Sequence, residues 1–132
     1  MVISRGAFIV FEGCDRCGKT TQVKKLMEYF NKVNIPAKTW RFPDRTTSIG
    51  AVCNDYLTKK CELEDHAVHL TFAANRWEAV PKMMEALSSG TSLIVDRYSY
   101  SGVAFSAAKK EWTLNGARTL SEACPSRTWY YT

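Results

Sequence analysis

Residues 12–21 read EGCDRCGKTT, and residues 13–20 within them carry the spacing G-x-x-x-x-G-K-T. No other stretch of the chain restricts the fold as much. That spacing does its chemistry in one setting, with a buried strand before it and a helix after it. Both are written in the flanks. The apolar run AFIVF at residues 7–11 stops at glycine and suits a buried parallel strand. After the loop, Val23, Leu26, Met27 and Phe30 recur at helical spacing between Gln and Lys residues, from Lys19 to Lys32. Gly13 and Gly18 let backbone N–H groups converge on phosphate oxygens, and the helix turns its positive end toward them. Lys19 can reach the outer phosphates, and the Thr20 hydroxyl can ligate Mg2+.

The same residues hold a second pattern, the C-x-x-C of Cys14 and Cys17. A zinc site would need two further ligands at finger-like spacing. The nearest histidines, His66 and His69, come far downstream and read as exposed polar residues of a helix. A redox pair does not usually carry such a lysine between itself and the helix. Thiols beside Lys19 and a helix N-terminus are placed for oxidation. That reactivity is read as a side effect of the loop, not as its function.

With 132 residues the chain is long enough for one domain and one core. A net charge of +5 suits an anionic partner, which nucleotide, nucleic acid and acidic surface all satisfy. No stretch approaches a membrane span, and AFIV is too short for a signal-peptide core. An intracellular protein, cytoplasmic with nuclear or mitochondrial pools also open, with reduced thiols, is expected. Its five cysteines show no disulfide framework.

Along the chain, AKTWRF follows Pro36 as a second strand and ends at PDR. A helix is predicted over 49–57 and a longer one over 64–88, which Pro81 must kink or divide. Gly90 stops it, TSLIV is a third strand closed by Asp96, and residues 101–108 favour helix. Strands alternating with helices in this way predict an α/β fold with a parallel sheet.

Three further features carry chemistry. In LIVDRY, Asp96 leaves the carboxyl end of a buried strand, where a carboxylate can hold Mg2+ and Arg97 would face the same crevice. A surface turn with a local ion pair fits those letters too. Phe72 and Arg76 stand four apart and share a helix face. They can stack on a base and bond its edge, or be a core ring beside a solvated cation. Arg45 in RFPDR is a phosphate ligand or a basic turn.

Together, EGCDRCGKTTQ, RFPDRTTSIG, EDHAVHLTFAANRWE and VDRYSYSGVAFSAAK resemble the thymidylate kinases of eukaryotic type, from about Arg5 to Lys109. The resemblance implies a P-loop NTPase-type three-layer α/β fold, here with about three of its five parallel strands. It implies ATP-dependent phosphorylation of dTMP to dTDP with Mg2+. Gly13, Arg16, Cys17, Gly18, Lys19, Thr20 and Thr21 would bind ATP, and Arg16, Lys19, Asp15 and Arg97 would be the catalytic residues. Thr20 and Asp96 would hold the metal. Asp15 would organise the acceptor site beside Arg97, and Arg45 and Arg97 would grip the dTMP phosphate. Phe72 would stack on thymine and Arg76 bond its edge, with Phe42, Ser101, Gly102 and Phe105 completing that pocket. Small or apolar residues are usual where Cys14 and Cys17 stand, and Cys substitutes as a small hydrophobe. The partners implied are ATP and dTMP, with no nucleic acid and no membrane; family members are often homodimers.

Beyond Lys109 the pattern stops. Family members continue through a flexible lid, two strands and C-terminal helices, whereas residues 110–132 show no sustained period and are expected to be poorly ordered. Back-translated and read one base earlier, they can give Gly-Leu-Pro-Lys-Pro-Asp-Leu-Val-Leu-Tyr, which resembles the approach to the family's next strand. A frame shift is therefore expected, with an alternative exon or a species-specific tail as the other origins. The loop strand would then lie between the third strand and a missing fourth, with its outer edge bare. The alternative function is a catalytically impaired nucleotide-binding fragment. Its transfer is expected to fall at least about a hundredfold below that of a restored chain.

Overall fold

The computed structural model describes residues 4–109, so the expected tail lies outside the described residues. Its elements follow the predicted rhythm: β1 (Phe8–Phe11), α1 (Lys19–Lys32), β2 (Ala37–Arg41), α2 (Ser48–Leu57), α3 (Asp65–Ser88), β3 (Ser92–Asp96) and α4 (Ser99–Ala107). The chain forms two compact units. Of the described residues, the first takes those from 4 to 41 together with Ala79–Tyr98, and the second takes Phe42–Glu78 and those from 99 to 109.

The first unit is built on a parallel sheet in the order β1-β3-β2. The central strand is buried along its whole length, and Leu93, Ile94 and Val95 are fully covered. Each such side chain contributes about 2 kcal/mol of burial, which explains an unbroken apolar run instead of an alternating one. The register pairs Phe11 with Asp96 and Asp96 with Arg41. The three strands therefore end level, and their carboxyl ends form one row. Arg97 N–H donates to the Phe11 carbonyl at 3.0 Å and ties two of those ends together. β1 pairs with β3 on one side, as expected, and its other edge carries no strand among the described residues. Val23 of α1, Ala79, Met83, Ala86 and Leu87 of α3, and Tyr98 after β3 complete the buried hydrophobic set of this unit.

Pro81 does not divide α3, which runs 24 residues through it. A helical proline forfeits the bond to the carbonyl four residues back, here that of Trp77, an exposed residue.

The second unit is helical. Thr47 caps α2 by accepting the Gly50 N–H at 2.9 Å. Glu64 precedes α3 and accepts the N–H groups of His66 and Ala67 at 2.9 and 3.2 Å. The His66 ring bonds its other oxygen, and this contact holds the Glu64 carboxyl below its ordinary range. Among the described residues no helix is long and apolar enough to cross a membrane.

Candidate active site

The loop after β1 is shaped by residues with positive φ. Gly18 sits at 88° as the left-handed N-cap of α1, and Arg16 at 59° turns the middle of the loop. Gly18 has no side chain to bond the first helical N–H groups, and the first turn, KTTQ, carries no acidic residue. The positive end of α1 is thus left for an anion. Lys19 folds back over the loop, its Nζ donating to the carbonyls of Gly13 at 2.9 Å and Cys14.

The row of strand ends supplies the opposite wall. Thr20 Oγ1 donates to Asp96 Oδ2 at 3.2 Å, which brings hydroxyl and carboxylate together across 76 residues. Arg97 takes φ 66° directly after β3, and its guanidinium pairs with Asp15 in the loop. Tyr98 N–H donates to Glu12 Oε1 at 2.9 Å, and the Tyr98 ring meets Phe8 edge-on at 5.3 Å. Between these groups lies a pocket of about 320 Å³. It is lined by Asp15, Arg16, Cys17, Gly18, Lys19, Thr20 and Thr21 from the loop and α1, and by Asp96, Arg97 and Arg41 from the strand ends. A volume of that order suits a small-molecule site. Its walls carry four cations, Arg16, Lys19, Arg41 and Arg97, against two carboxylates, Asp15 and Asp96. The balance favours a polyanion.

The second unit has its own constellation. Asn75 is fully buried and clamps one peptide from both sides. Its Oδ1 accepts the Asp44 N–H at 2.7 Å, while its Nδ2 donates to the Asp44 carbonyl at 3.0 Å. The same Nδ2 reaches Glu78 Oε1 at 2.9 Å and Thr47 Oγ1 at 3.2 Å. Gly50 packs so close to this peptide that a Cβ would stand 1.7 Å from the Asp44 carbonyl oxygen. Arg45 follows the clamped residue and bonds Asn54 Oδ1 at 3.0 Å. Farther along, Arg76 is buried beside Gly102 of α4, where an added Cβ would lie 3.1 Å from Nη1. Phe72, one turn before it, meets the Tyr56 ring edge-on at 6.3 Å.

His69 corrects the expectation of an exposed polar residue: it is 3% exposed, and its Nδ1 bonds Ser106 Oγ of α4 at 2.6 Å. His66 alone stays outside, with half its side chain exposed. Burial, with Arg76 and then His66 adding repulsion, pushes the His69 ring below its ordinary value of 6.5. The unfolded chain therefore takes up a proton near pH 6.5, whereas the folded chain does so only at lower pH. Stability is full above that value and falls as pH drops below it, by at most about 1.4 kcal/mol per pH unit. Melting curves between pH 7.5 and 5.5 are expected to show this loss, and His69→Gln to flatten it. An equal pH slope in the variant would assign the loss elsewhere.

A family model described as thymidylate kinase matches residues 11–130. The chain belongs to the thymidylate kinase family. The thymidylate kinase of Arabidopsis thaliana is 58% identical over 105 residues, 80% of this chain and 40% of that protein. The human thymidylate kinase is 52% identical over 125 residues, 95% of this chain and 59% of that protein. The chain thus spans about half the length of the thymidylate kinases it matches. Among solved structures, the thymidylate kinase of Candida albicans superposes with a TM-score of 0.77 at 38% identity, over 89% of this chain and 56% of that one. The enzyme from Ehrlichia chaffeensis gives the same TM-score at 27% identity, over 91% and 70%. The α/β fold with its parallel sheet is that of the family.

The structure gathers every expected ATP and metal residue of this thymidylate kinase chain in the first unit, with Asp15 and Arg97 among them. The expected base-side residues Phe42, Phe72, Arg76, Ser101, Gly102 and Phe105 all fall in the second unit, as does Arg45, expected on the dTMP phosphate. There Arg76 adjoins Gly102, whereas Phe42 is 4% exposed as a core residue and Phe105 stands 66% exposed. Sequence reasoning missed Arg41, Asn75 and Tyr56. The position of Arg41 at the carboxyl end of a parallel strand was a usable signal. Cys14 and Cys17 are both exposed, and among the described residues no group of three or more His, Cys, Asp or Glu comes together.

Proposed function

We propose that the chain catalyses transfer of the ATP γ-phosphoryl group to dTMP, giving dTDP. The observation that carries this reading is the convergence of Lys19, the Thr20–Asp96 pair and Arg97 on one pocket at the sheet's carboxyl edge. The loop N–H groups from Gly13 to Thr21 and the start of α1 bind the ATP phosphates. Lys19 reaches the β- and γ-phosphates, and Arg16 stabilises charge on the transferring oxygens. Thr20 and Asp96 present hard oxygen donors 3.2 Å apart, a set that suits Mg2+ and poorly suits soft metals. Mg2+ bound there supplies charge neutralisation on phosphate oxygens.

Arg97, oriented by Asp15, and Arg45, held in place by the Asn75 clamp, bind the dTMP phosphate. Phe72 stacks on thymine, and Arg76 bonds the base edge, with Phe42, Ser101, Gly102 and Phe105 around it. The protein acts on free nucleotides in the cytoplasm, without a nucleic-acid or membrane partner. The test is to follow label from γ-labelled ATP into dTDP with Mg2+ and dTMP, with AMP as a control acceptor. Label moving to dTMP and not to AMP is expected. Release of inorganic phosphate without dTDP would refute the acceptor.

A further inference from the structure

The function leaves the C-x-x-C unused, and the geometry of the loop gives it one. Asp15 and Arg16 are the middle residues of a turn whose ends are Cys14 and Cys17. Arg16, at φ 59°, supplies its left-handed third position. The Cα atoms at the ends of such a turn lie less than about 7 Å apart, and a disulfide spans roughly 4.4–6.8 Å. The Cys17 sulfur also folds back over the loop: a Cβ on Gly13, the neighbour of Cys14, would stand 2.9 Å from it. Both thiols are free and exposed. Lys19 joins them, its Nζ 3.6 Å from Cys17 Sγ and bonded to the Cys14 carbonyl.

The geometry points to Cys14 and Cys17 as a dithiol modification site for low-molecular-weight disulfides, at which oxidation closes the phosphate loop to nucleotide. The consequence for nucleotide rests on the phosphate-loop reading above; the bridge itself does not. In the first step the Cys17 sulfur loses its proton to solvent and attacks one sulfur of glutathione disulfide. That S–S bond breaks, and one glutathione leaves and takes up a proton. Cys14 then loses its proton and attacks Cys17 Sγ of the mixed disulfide, expelling the second glutathione as a thiol. Two protein thiols are oxidised to one disulfide, and one small disulfide is reduced to two thiols. The bridge spans the turn on the side that carries the Lys19 ammonium. It fixes the N–H groups that must wrap the phosphates and keeps the lysine against the loop carbonyls.

Burial pushes the Cys53 thiol up to about 11 and supplies an internal control that stays free. The test treats the full chain with glutathione disulfide and digests it with trypsin, which cuts after Arg16. The bridge is then seen as residues 6–16 joined to 17–19. Binding of a fluorescent ATP analogue is titrated in parallel. A joined peptide pair and a loss of affinity of at least about tenfold, reversed by dithiothreitol, are expected. Cys14→Ser is expected to trap one glutathione on Cys17. Separate glutathione adducts with no joined pair in the unmodified sequence would overturn the site. A joined pair with unchanged affinity would overturn the closure. A reduced chain that fails to bind the analogue would refute the phosphate-loop reading instead, while the peptide map still decides the bridge.

Discussion

Lys19→Ala is expected to reduce dTDP formation at least about a hundredfold, a loss of about 2.7 kcal/mol of transition-state stabilisation. The size follows from where the ammonium stands. It is anchored on the Gly13 and Cys14 carbonyls inside the pocket, one residue from the Thr20–Asp96 pair. The pocket keeps its other cations in the variant, but none of them starts the helix whose N-terminus faces the phosphates. The fold should be unaffected, because Lys19 contacts only its own loop in the bonds described. Steady-state rates with saturating ATP and Mg2+ decide the matter. Near-normal turnover would mean that the loop is not where transfer occurs.

Asn75→Ala is expected to cost about 2 kcal/mol of stability, because it empties a fully buried position and removes the acceptor of the Asp44 N–H and the 3.0 Å donor to the Asp44 carbonyl. The melting temperature should fall by on the order of 10 °C. Asn75→Asp should not rescue it. A carboxylate would keep the contact to the Asp44 N–H but would face the Asp44 carbonyl and Glu78 as a second acceptor. Because the clamp fixes the residue before Arg45, surviving protein should also require more dTMP for half-saturation. An unchanged melting temperature would show that the clamp is idle.

Much of this was legible in local sequence. The α1 boundaries, the strand that ends in Asp96 and the parallel alternation follow from spacing that a single window contains. The fold family followed from four such windows. What stayed hidden depends on segments that meet only after folding. Asn75 reads as one polar residue in a helix until Asp44, 31 residues earlier, is laid against it. His69 reads as solvated until α4 brings Ser106 across 37 residues to its ring. Of the two outcomes expected at Pro81, division does not occur: α3 runs through it from Asp65 to Ser88. The paired cysteines and their nearness to Lys19 were legible as a motif, but the fold of the Cys17 sulfur back over Gly13 needed coordinates.

The central claim is that this thymidylate kinase chain binds ATP through the phosphate loop and dTMP through the α3 face that carries Arg76. Separate titrations of ATP and dTMP against the unmodified chain, Lys19→Ala and Arg76→Ala test it most directly, with circular dichroism confirming that each variant is folded. Lys19→Ala is predicted to lose ATP affinity and keep dTMP. Arg76→Ala is predicted to lose dTMP affinity by roughly ten- to a hundredfold, the worth of a charged hydrogen bond, and keep ATP. Equal loss of both ligands in either folded variant would contradict the assignment.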